Sequence, residues 1–457
     1  WSSDVCSSDL DYDIGDLPQS RDDLKSELYP KNGDQMWASY QKYSKACGHE
    51  YSDDLVLNSI QETYHIAHER VESFYPDNQV RLPEFVVPEG KNAVQALTEM
   101  CLKGIKDFGL HKNKEYVERL KDELTVIKDR GFAKYFLTMK AVSDTSRQMQ
   151  LCGAGRGSAA GSLISYVLNI TQVDPIKYGL QFERFIRRDA TDYPDIDFDV
   201  GDPMEIKEHL ISQWGENTVV PITNWNTLQF RSLIKDISKL YGVDFKTVND
   251  VTSKMLIEAT PAAKKKNGVK SGVYTPTYEE LLEFSPTLQK FFDNYPQIKH
   301  HVEGLHGQIR SQSRHAGGVV IADKLNTQMP LINSGGVVQT PWSEGQNVRH
   351  LEPLGFIKFD ILGLASLRMI ENCIGHILQR NHGIANPTFA DIKKFYDDNL
   401  HPEKMNLDDQ EVYKNIFHKG KWAGIFQFTE KGAQRFCSKV KPRSIIDLSA
   451  ITSIYRP

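Results

Sequence analysis

Three aspartates alternate with apolar residues in the segment 193–200, and this spacing could hold metal ions. Asp195, Asp197 and Asp199 are each separated by one apolar residue. In a β-strand successive side chains point to opposite faces, so we expect the three carboxylates to share one face. Close carboxylates repel one another unless cations lie among them, and oxygen ligands of this kind suit Mg²⁺. The alternative interpretation is an exposed acidic edge strand that resists aggregation.

A lysine and an aspartate alternate in a second apolar segment, 355–364. We expect Lys358 and Asp360 to point to the same side of a buried strand. Burying either charge without a partner would be costly. One interpretation is a simple ion pair between the two side chains. The other places Asp360 beside the first acidic strand as a further ligand of two metal ions about 4 Å apart, with Lys358 against the charge of a triphosphate.

Glycines alternate in the segment 153–162, which reads GAGRGSAAGS. Gly155 and Gly157 allow the backbone to turn sharply and to approach a ligand closely. A helix that begins near Ser158 would direct its positive N-terminal end at an anion, and the guanidinium of Arg156 suits phosphate oxygens. The pattern is neither a P-loop nor a good dinucleotide fingerprint. A tight turn that packs a helix against a sheet is the structural alternative.

A fourth segment, 310–318, combines two arginines, a histidine and paired glycines before an apolar run. Arg310 and His315 could contact a further phosphate group. A single histidine in a loop is as often structural, so the sequence leaves both interpretations of His315 open.

The elements around these segments predict an α/β domain that is interrupted by helices. The apolar spacing in 86–150 is typical of two long amphipathic helices, at 93–108 and 115–127. Residues 226–305 again read as helices, with the lysines at 264–266 in a loop. The other predicted elements are helices in 11–85, a strand at 193–200, buried strands at 319–321 and 356–361, and helices in 366–457.

The composition is that of a globular protein whose charge is unevenly distributed. The 457 residues carry 55 Lys and Arg against 60 Asp and Glu, a net charge of −5. Residues 1–80 carry a net charge of −10, whereas 221–320 and 411–457 carry +4 and +6. A basic surface attracts phosphate backbones whatever the total charge, although charge alone favours a plain solvated surface.

The sequence also excludes several classes of protein and site. Six widely spaced cysteines without a CxxC pair argue against a zinc site and a disulfide framework, and they indicate a reducing cytoplasm. No apolar run approaches the ~18 residues of a membrane span, and no secretory signal opens the chain. We interpret residues 1–10 as a non-native leader and expect the chain to be a fragment at both ends.

Taken together, these segments resemble the alpha subunit of bacterial DNA polymerase III, the C family of replicative DNA polymerases. The motifs follow one another in the order of that family, from about residue 80 to the end of the chain. The last two are similar to the start of its fingers domain. The motifs are GRGSAAGS at 155–162, FERFIRRDATDYPDIDFD at 182–199, RHAGGVVIA at 314–322, IKFDILGLASL at 357–367, GIFQF at 424–428 and IYRP at 454–457.

The resemblance implies a polymerase-beta-like nucleotidyltransferase palm with a helical thumb insertion and a helical start of the fingers. By that analogy Asp197, Asp199 and Asp360 carry two Mg²⁺ ions, Asp195 supports them, and Lys358 takes part in catalysis. The implied contacts with the incoming triphosphate are Gly155, Arg156, Gly157, Ser158, Arg310 and His315.

The resemblance also implies a division into domains. The order is a leader at 1–10, an acidic helical segment at 11–80, the first part of the palm at 81–227, the thumb at 228–306, the second part of the palm at 307–365 and the truncated start of the fingers at 366–457.

The implied activity is template-directed DNA synthesis, in which a dNTP is added to a primer 3′-hydroxyl by a two-metal mechanism. The implied partners are primer–template DNA and dNTP, with a sliding clamp and other replisome subunits bound through segments beyond this chain, and no membrane. Without the rest of the fingers, we expect weak dNTP binding and little activity from the fragment alone. Two alternatives stay open, a template-independent nucleotidyltransferase and a non-catalytic DNA-binding polymerase remnant.

Overall fold

The computed structural model describes residues 30–48, 51–73, 75, 77–269, 274–345 and 348–455. The predicted leader at 1–10, the first part of the predicted acidic helices and the last two residues of the IYRP motif lie outside these ranges. The chain divides into two compact units, Trp1–Asp77 and Asn78–Pro457.

The first unit contains two helices in its described part. They are α1 (Gly33–Cys47) and α2 (Asp53–His65), and α2 continues into a π-helical turn at Ile66–Arg70. The side chain of Ser52 caps α2 by accepting a backbone hydrogen bond from its first turn. Helices in this acidic segment were predicted from the sequence, and the described residues confirm them.

Three long helices open the second unit: α3 (Ala93–Asp107), α4 (Lys114–Arg130) and α5 (Ala133–Met149). α3 begins with a capping box, in which the side chains of Asn92 and Gln95 each accept the other's backbone N–H. The spacing of apolar residues correctly predicted α3 and α4. It missed α5, because this helix buries residues around most of its circumference and so lacks a one-sided apolar stripe.

The glycine-rich segment does not lead directly into an α-helix near Ser158, as the sequence suggested. A 3₁₀ turn at Gly157–Gly161 comes first, and the short helix α6 (Leu163–Val167) follows it. The N-cap of α6 is Ser162, so Ser158 lies inside the 3₁₀ turn. The expected helix N-terminus near Ser158 is therefore wrong, and a helix dipole cannot be invoked at that position.

The described strands form two sheets. The larger sheet has the order β1-β6-β3-β2, with β1 and β6 parallel and the other pairs antiparallel, and β4 pairs with β5 alone. The strands are β1 (Asp197–Val200), β2 (Val219–Thr227), β3 (Ile309–Ile321), β4 (Ile332–Ser334), β5 (Val337–Gln339) and β6 (Lys358–Gly363).

The sequence predicted three of these strands. The apolar segments at 319–321 and 356–361 lie largely in β3 and β6, as expected. The acidic strand is shorter than predicted, because β1 begins at Asp197 and leaves Asp195 in the chain before it. β2 was missed because Pro221 and the polar second half of the strand argue against a central strand.

A helical insertion with its own apolar core separates β2 from β3. Its core includes Leu233, Met255 and Phe291. The lysines at 264–266 form the last turn of one of these helices rather than a loop, since positive charge is favourable at a helix C-terminus. The helices are α8 (Phe230–Leu240), α9 (Phe245–Lys266), α10 (Tyr278–Phe284), α11 (Pro286–Asn294) and α12 (Pro296–Leu305), while α7 (Pro203–Trp214) joins β1 to β2.

The chain ends in helices, as predicted. Two small apolar clusters stabilise this part, one around Ile374 and Leu378 and the other around Phe417 and Phe428. The helices are α13 (Ala365–Asn381), α14 (Phe389–Asn399), α15 (Gln410–Val412), α16 (Lys431–Val440) and α17 (Ile445–Ile454).

Candidate active site

The carboxylates of Asp195, Asp197 and Asp360 meet beside the larger sheet. Each offers an oxygen within 4.8 Å of the oxygens offered by the other two. The parallel pairing of β1 with β6 sets Asp197 directly beside Asp360, and Asp195 reaches the same point from the residues before β1. Carboxylate oxygens are the ligands that Mg²⁺ prefers. We call these three residues the acidic trio.

A buried tyrosine of α5 positions both acidic segments. The hydroxyl oxygen of Tyr135 accepts a hydrogen bond of 3.0 Å from the backbone N–H of Ile196, which lies between two members of the trio. Its ring stacks on Phe359, the residue before the third member, with ring centroids 5.2 Å apart. One fully buried side chain thus fixes the backbone on both sides of the trio.

The two oxygens of Asp360 have different surroundings. Oδ2 lies 2.7 Å from the ammonium of Lys358, so the ion pair that the sequence left open does form. Oδ1 is buried and has no hydrogen-bond partner among the described residues. A buried carboxylate oxygen without a partner is costly, and a cation held by the trio would satisfy it. The ion pair and a metal-ligand role for Asp360 are therefore compatible.

The trio is electrostatically strained. Burial and the negative charges of Asp360 and Asp197 raise the pKa of Asp195. Burial also raises the pKa of Asp197, partly opposed by the positive charge of Arg156. For Lys358, the hydrogen bond and the charges of the aspartates outweigh burial and raise its pKa. Perturbed carboxylates beside a cationic group are typical of functional sites.

Asp199 stands outside the acidic trio, although the sequence predicted it as a metal ligand together with Asp197. Its Oδ1 accepts a hydrogen bond of 3.0 Å from Nη1 of Arg156. The Nε of the same arginine lies 3.9 Å from Oδ2 of Asp197. Asp195, predicted only as a supporting acid, is the member that completes the trio. Asp199 lies two residues further along β1, where its carboxylate is engaged by Arg156.

The glycine-rich turn lies directly against the acidic residues. Gly157 has a φ of +65°, and a Cβ atom there would lie 3.4 Å from Oδ2 of Asp197. The guanidinium of Arg156 lies over the ring of Phe426, 5.5 Å from its centroid. Ser158 is exposed in the 3₁₀ turn. The turn that contains Gly155 thus brings an arginine and exposed polar groups to the edge of the trio, as a phosphate site would require.

Two buried charged side chains hold the ends of this turn, and sequence reasoning missed both. Arg147 of α5 donates hydrogen bonds to the carbonyl oxygens of Gly153, Asn169 and Ile170. Glu123 of α4 accepts hydrogen bonds at the other end of the turn. Its donors are the hydroxyl of Ser162, the backbone N–H groups of Leu163 and Ile164, and the guanidinium of Arg119.

His315 and Arg310, the other two predicted phosphate contacts, both interact with neighbouring protein groups in the structure. Nδ1 of His315 accepts hydrogen bonds from the backbone N–H groups of Gly317, at 3.2 Å, and Gly318, at 2.6 Å. Burial lowers the pKa of His315, which suits a neutral ring that accepts hydrogen bonds. Arg310 lies at the start of β3 and pairs with Asp236 of α8 at 3.4 Å. Their contacts with phosphate stay predictions.

Family comparison agrees with these motifs. The model of the bacterial DNA polymerase III alpha NTPase domain matches residues 95–363, and that of the bacterial DNA polymerase III alpha subunit finger domain matches residues 381–457. The chain belongs to the bacterial DNA polymerase III alpha subunit family. The acidic trio, the glycine-rich turn and Lys358 all lie in the first matched region.

Curated relatives named DNA polymerase III subunit alpha extend this likeness over most of the chain. The protein of Aquifex aeolicus is 31% identical over 428 residues, which cover 87% of this chain and 34% of the relative. That of Bacillus subtilis is 30% identical over 422 residues, covering 88% and 35%. That of Mycobacterium leprae is 31% identical over 417 residues, covering 89% and 33%. The chain therefore spans about a third of the length of these family members.

Membrane-spanning helices are absent from the part of this chain that the structure describes. None of the helices there is both long enough and apolar enough to cross a bilayer.

Proposed function

We propose that this chain carries out template-directed DNA synthesis, adding a dNTP to a primer 3′-hydroxyl. The observation that carries the proposal is the convergence of Asp195, Asp197 and Asp360 next to Arg156. Relatives that are named as DNA polymerase subunits support nucleotidyl transfer as the reaction. Paired carboxylates beside cationic groups are what in-line phosphoryl chemistry needs.

The proposal includes an assignment of domains. The palm consists of residues 81–227 and 307–365, the thumb of 228–306, and the fingers begin at 366. The separate apolar core of α8–α12 supports a distinct thumb. The four-stranded sheet with the acidic trio supports a palm. A sliding clamp and other replisome subunits stay predictions, because they would bind segments beyond this chain.

The acidic trio fits divalent cations. It offers hard oxygen donors, including the partnerless Oδ1 of Asp360, and such donors suit Mg²⁺. When bound, two Mg²⁺ ions would supply activation of the primer hydroxyl and neutralise charge on the departing pyrophosphate. In this arrangement Asp195, Asp197 and Asp360 would hold the ions, and Asp199 would orient Arg156 through their hydrogen bond.

Two cationic side chains beside the trio, Arg156 near Asp197 and Lys358 near Asp360, bind the triphosphate. Arg156 contributes a planar fork that suits phosphate oxygens, and the glycine-rich turn lets the backbone approach closely around Gly157. Lys358 keeps its positive charge because its pKa is raised beside the trio. These groups are fixed before substrate arrives, and catalysis then depends on positioning and electrostatics.

The proposed thumb contributes basic residues for the duplex. Arg231 and Lys239 of α8, and Lys246 and Lys254 of α9, are exposed. The surrounding sequence has a net positive charge, in contrast to the N-terminal segment. Exposed Lys and Arg attract the phosphate backbone without reading its sequence, as a polymerase requires.

Primer extension tests the proposal. The chain is incubated with Mg²⁺, a primer–template and one dNTP at a time, and Asp360→Asn is compared with Asp189→Asn. Asp189 is an exposed aspartate that pairs with Arg187, so it controls for the loss of one charge. Because little activity is expected from this fragment, we expect slow addition of the complementary nucleotide only, and a further loss of about 100-fold or more in Asp360→Asn. DNA binding, followed by fluorescence anisotropy, should persist in both variants.

Three results would overturn the proposal. Extension at a near-normal rate in Asp360→Asn would reject the metal-ligand assignment. Addition that ignores the template base would indicate a template-independent nucleotidyltransferase. DNA binding without any incorporation, together with an absence of Mn²⁺ binding in a spin-resonance titration, would indicate a non-catalytic remnant.

A further inference from the structure

Lys207 is a buried lysine whose charge has no carboxylate partner among the described residues. It lies on α7, and its side chain is 2% exposed. Its Nζ donates a hydrogen bond of 2.7 Å to the carbonyl oxygen of Ala316 and lies 3.5 Å from that of His315. Burying an ammonium against carbonyl groups alone is expensive. The free-energy cost of burying Lys207 suggests that its hydrogen bonds to these two carbonyl groups serve a purpose.

The carbonyls that Lys207 holds belong to a bulge in β3. Pro221 of β2 pairs with Val319 of β3, but Thr223 pairs with Arg314. Four residues of β3, 315–318, therefore lie opposite a single residue of β2, and we call them the β3 bulge. Such bulges re-aim side chains next to functional sites. His315 holds the bulge from inside, by accepting backbone hydrogen bonds from its two glycines.

The opposite side of the β3 bulge packs on β6, the strand that carries Lys358 and Asp360. Gly318 pairs directly with Asp360. A Cβ atom on Gly318 would lie 3.2 Å from Cδ of Lys358, and one on Gly317 would lie 3.6 Å from Oδ1 of Asp360. The bulge therefore lies directly beside Asp360, whose Oδ2 pairs with Lys358 and whose Oδ1 has no hydrogen-bond partner among the described residues.

We propose that Lys207 is a positioning residue for the acidic trio: its hydrogen bond to Ala316 holds the β3 bulge against β6 and so fixes the carboxylate of Asp360. Lys207 does not touch the reacting atoms, and it acts through the bulge. This inference rests on the metal-binding part of the proposed function. Neighbouring groups that orient metal ligands typically change metal affinity by about 10- to 100-fold when they are removed.

Mn²⁺ affinity of the Lys207→Met variant tests the inference. Mn²⁺ is titrated into the full chain and the free ion is measured by electron spin resonance. We expect the dissociation constant to rise about 10-fold in Lys207→Met, while the affinity for primer–template DNA stays unchanged. Lys207→Arg keeps a donor and should recover part of the affinity. Ile206→Val is the matched control, because Ile206 is buried on the same helix and holds no bulge carbonyl.

A second variant keeps the test decisive if Lys207→Met does not fold. Gly317→Ala disturbs the bulge from the β6 side, since its Cβ would lie 2.6 Å from Cδ2 of Leu362, and it should weaken Mn²⁺ binding with Lys207 intact. Folded Lys207→Met or Gly317→Ala with wild-type Mn²⁺ affinity would overturn the inference. Failure of the proposed function looks different, because the unmodified chain would then bind no Mn²⁺ or extend no primer.

Discussion

Asp197 and Asp360 are register partners on the parallel strands β1 and β6, so two acids that lie far apart in the chain become immediate neighbours. Adjacent strands are about 4.8 Å apart, which is close enough for two side chains on one face to share a cation. The connection between these strands contains β2, the helical insertion and β3. Backbone hydrogen bonds between the two strands therefore fix the pair, although a helical insertion separates these strands in the sequence.

The first prediction separates Asp195 from Asp199. Asp195→Asn removes one of the three carboxylates that meet, whereas Asp199→Asn removes a partner of Arg156. We expect Asp195→Asn to weaken Mn²⁺ binding about 10-fold or more, because a neutral amide is a poor ligand for a hard cation. Asp199→Asn should retain most of the affinity. Isothermal titration with Mn²⁺ measures both, and the reverse order would return Asp199 to the metal site.

The second prediction concerns Arg156→Lys. Lysine keeps the charge but loses the planar fork that reaches both Asp197 and Asp199. We expect the KM for dNTP to rise about 10-fold, which corresponds to the loss of one charge-assisted hydrogen bond. The KM for primer–template DNA should not change. Steady-state extension kinetics measure both constants, with the exposed Arg187→Lys as the control. An unchanged KM for dNTP would remove Arg156 from the triphosphate site.

From the sequence alone, the segments of the candidate site could be identified, but the arrangement of their side chains could not. Alternation correctly picked out the acidic run, and the apolar segment around Asp360 correctly indicated a strand. It could not show where the strand begins, because β1 starts where its partner β6 supplies hydrogen bonds. The family resemblance ranked Asp195 below Asp199, whereas the carboxylates that meet in the structure are those of Asp195, Asp197 and Asp360. Which of these aspartates bind metal stays a prediction.

Buried charges are the second feature that local pattern could not reveal. Glu123 and Arg147 lie on helices, where acidic and basic residues are ordinarily read as exposed. Both are buried. Arg147 donates to the carbonyl oxygen of Gly153 at one end of the glycine-rich turn, and Glu123 accepts from the backbone N–H groups of Leu163 and Ile164 just after its other end. The signal was available in principle, because Glu123 falls on the apolar stripe of α4 together with Leu120 and Ile127. A buried role for Glu123 can be recognised only when the backbone N–H groups that face it are known, and the sequence does not show them.

The third prediction is that Glu123→Gln strongly destabilises the protein. Glu123 is 0% exposed, and its two oxygens accept four hydrogen bonds. An amide has one acceptor oxygen, so its NH₂ group would face donors, and Arg119 would lose its ion pair. Breaking a buried network of this kind costs about 3–5 kcal/mol of unfolding free energy. Urea denaturation measures the change.

Glu118→Gln is the control for this prediction. It lies on the same helix, is 66% exposed and pairs only loosely with Lys114. Exposed substitutions of this kind change stability by about 0.5 kcal/mol or less. Equal losses of stability in the two variants would show that the buried hydrogen bonds of Glu123 contribute nothing special to the turn.

The fourth prediction is a pH-dependent contribution of Lys207 to stability. Burial lowers the pKa of Lys207 to about 8, and the nearby charge of Asp360 only partly opposes this. Between that value and the ordinary lysine pKa of 10.5, the unfolded chain binds more protons than the folded chain. The unfolding free energy therefore rises with pH in this window, by at most about 1.4 kcal/mol per pH unit.

Comparing the wild type with Lys207→Met isolates this effect. As the pH rises from about 7.5 to about 9.5, the unfolding free energy of the wild type should increase relative to that of Lys207→Met. The reason is that the buried ammonium loses its proton, and the cost of removing its charge from water disappears. Lys114→Met is the control, because the Lys114 side chain is 87% exposed and has similar surroundings in both states. If the difference for Lys207→Met is constant across this range, Lys207 keeps its charge, and the bulge is then held by an ammonium at every pH tested.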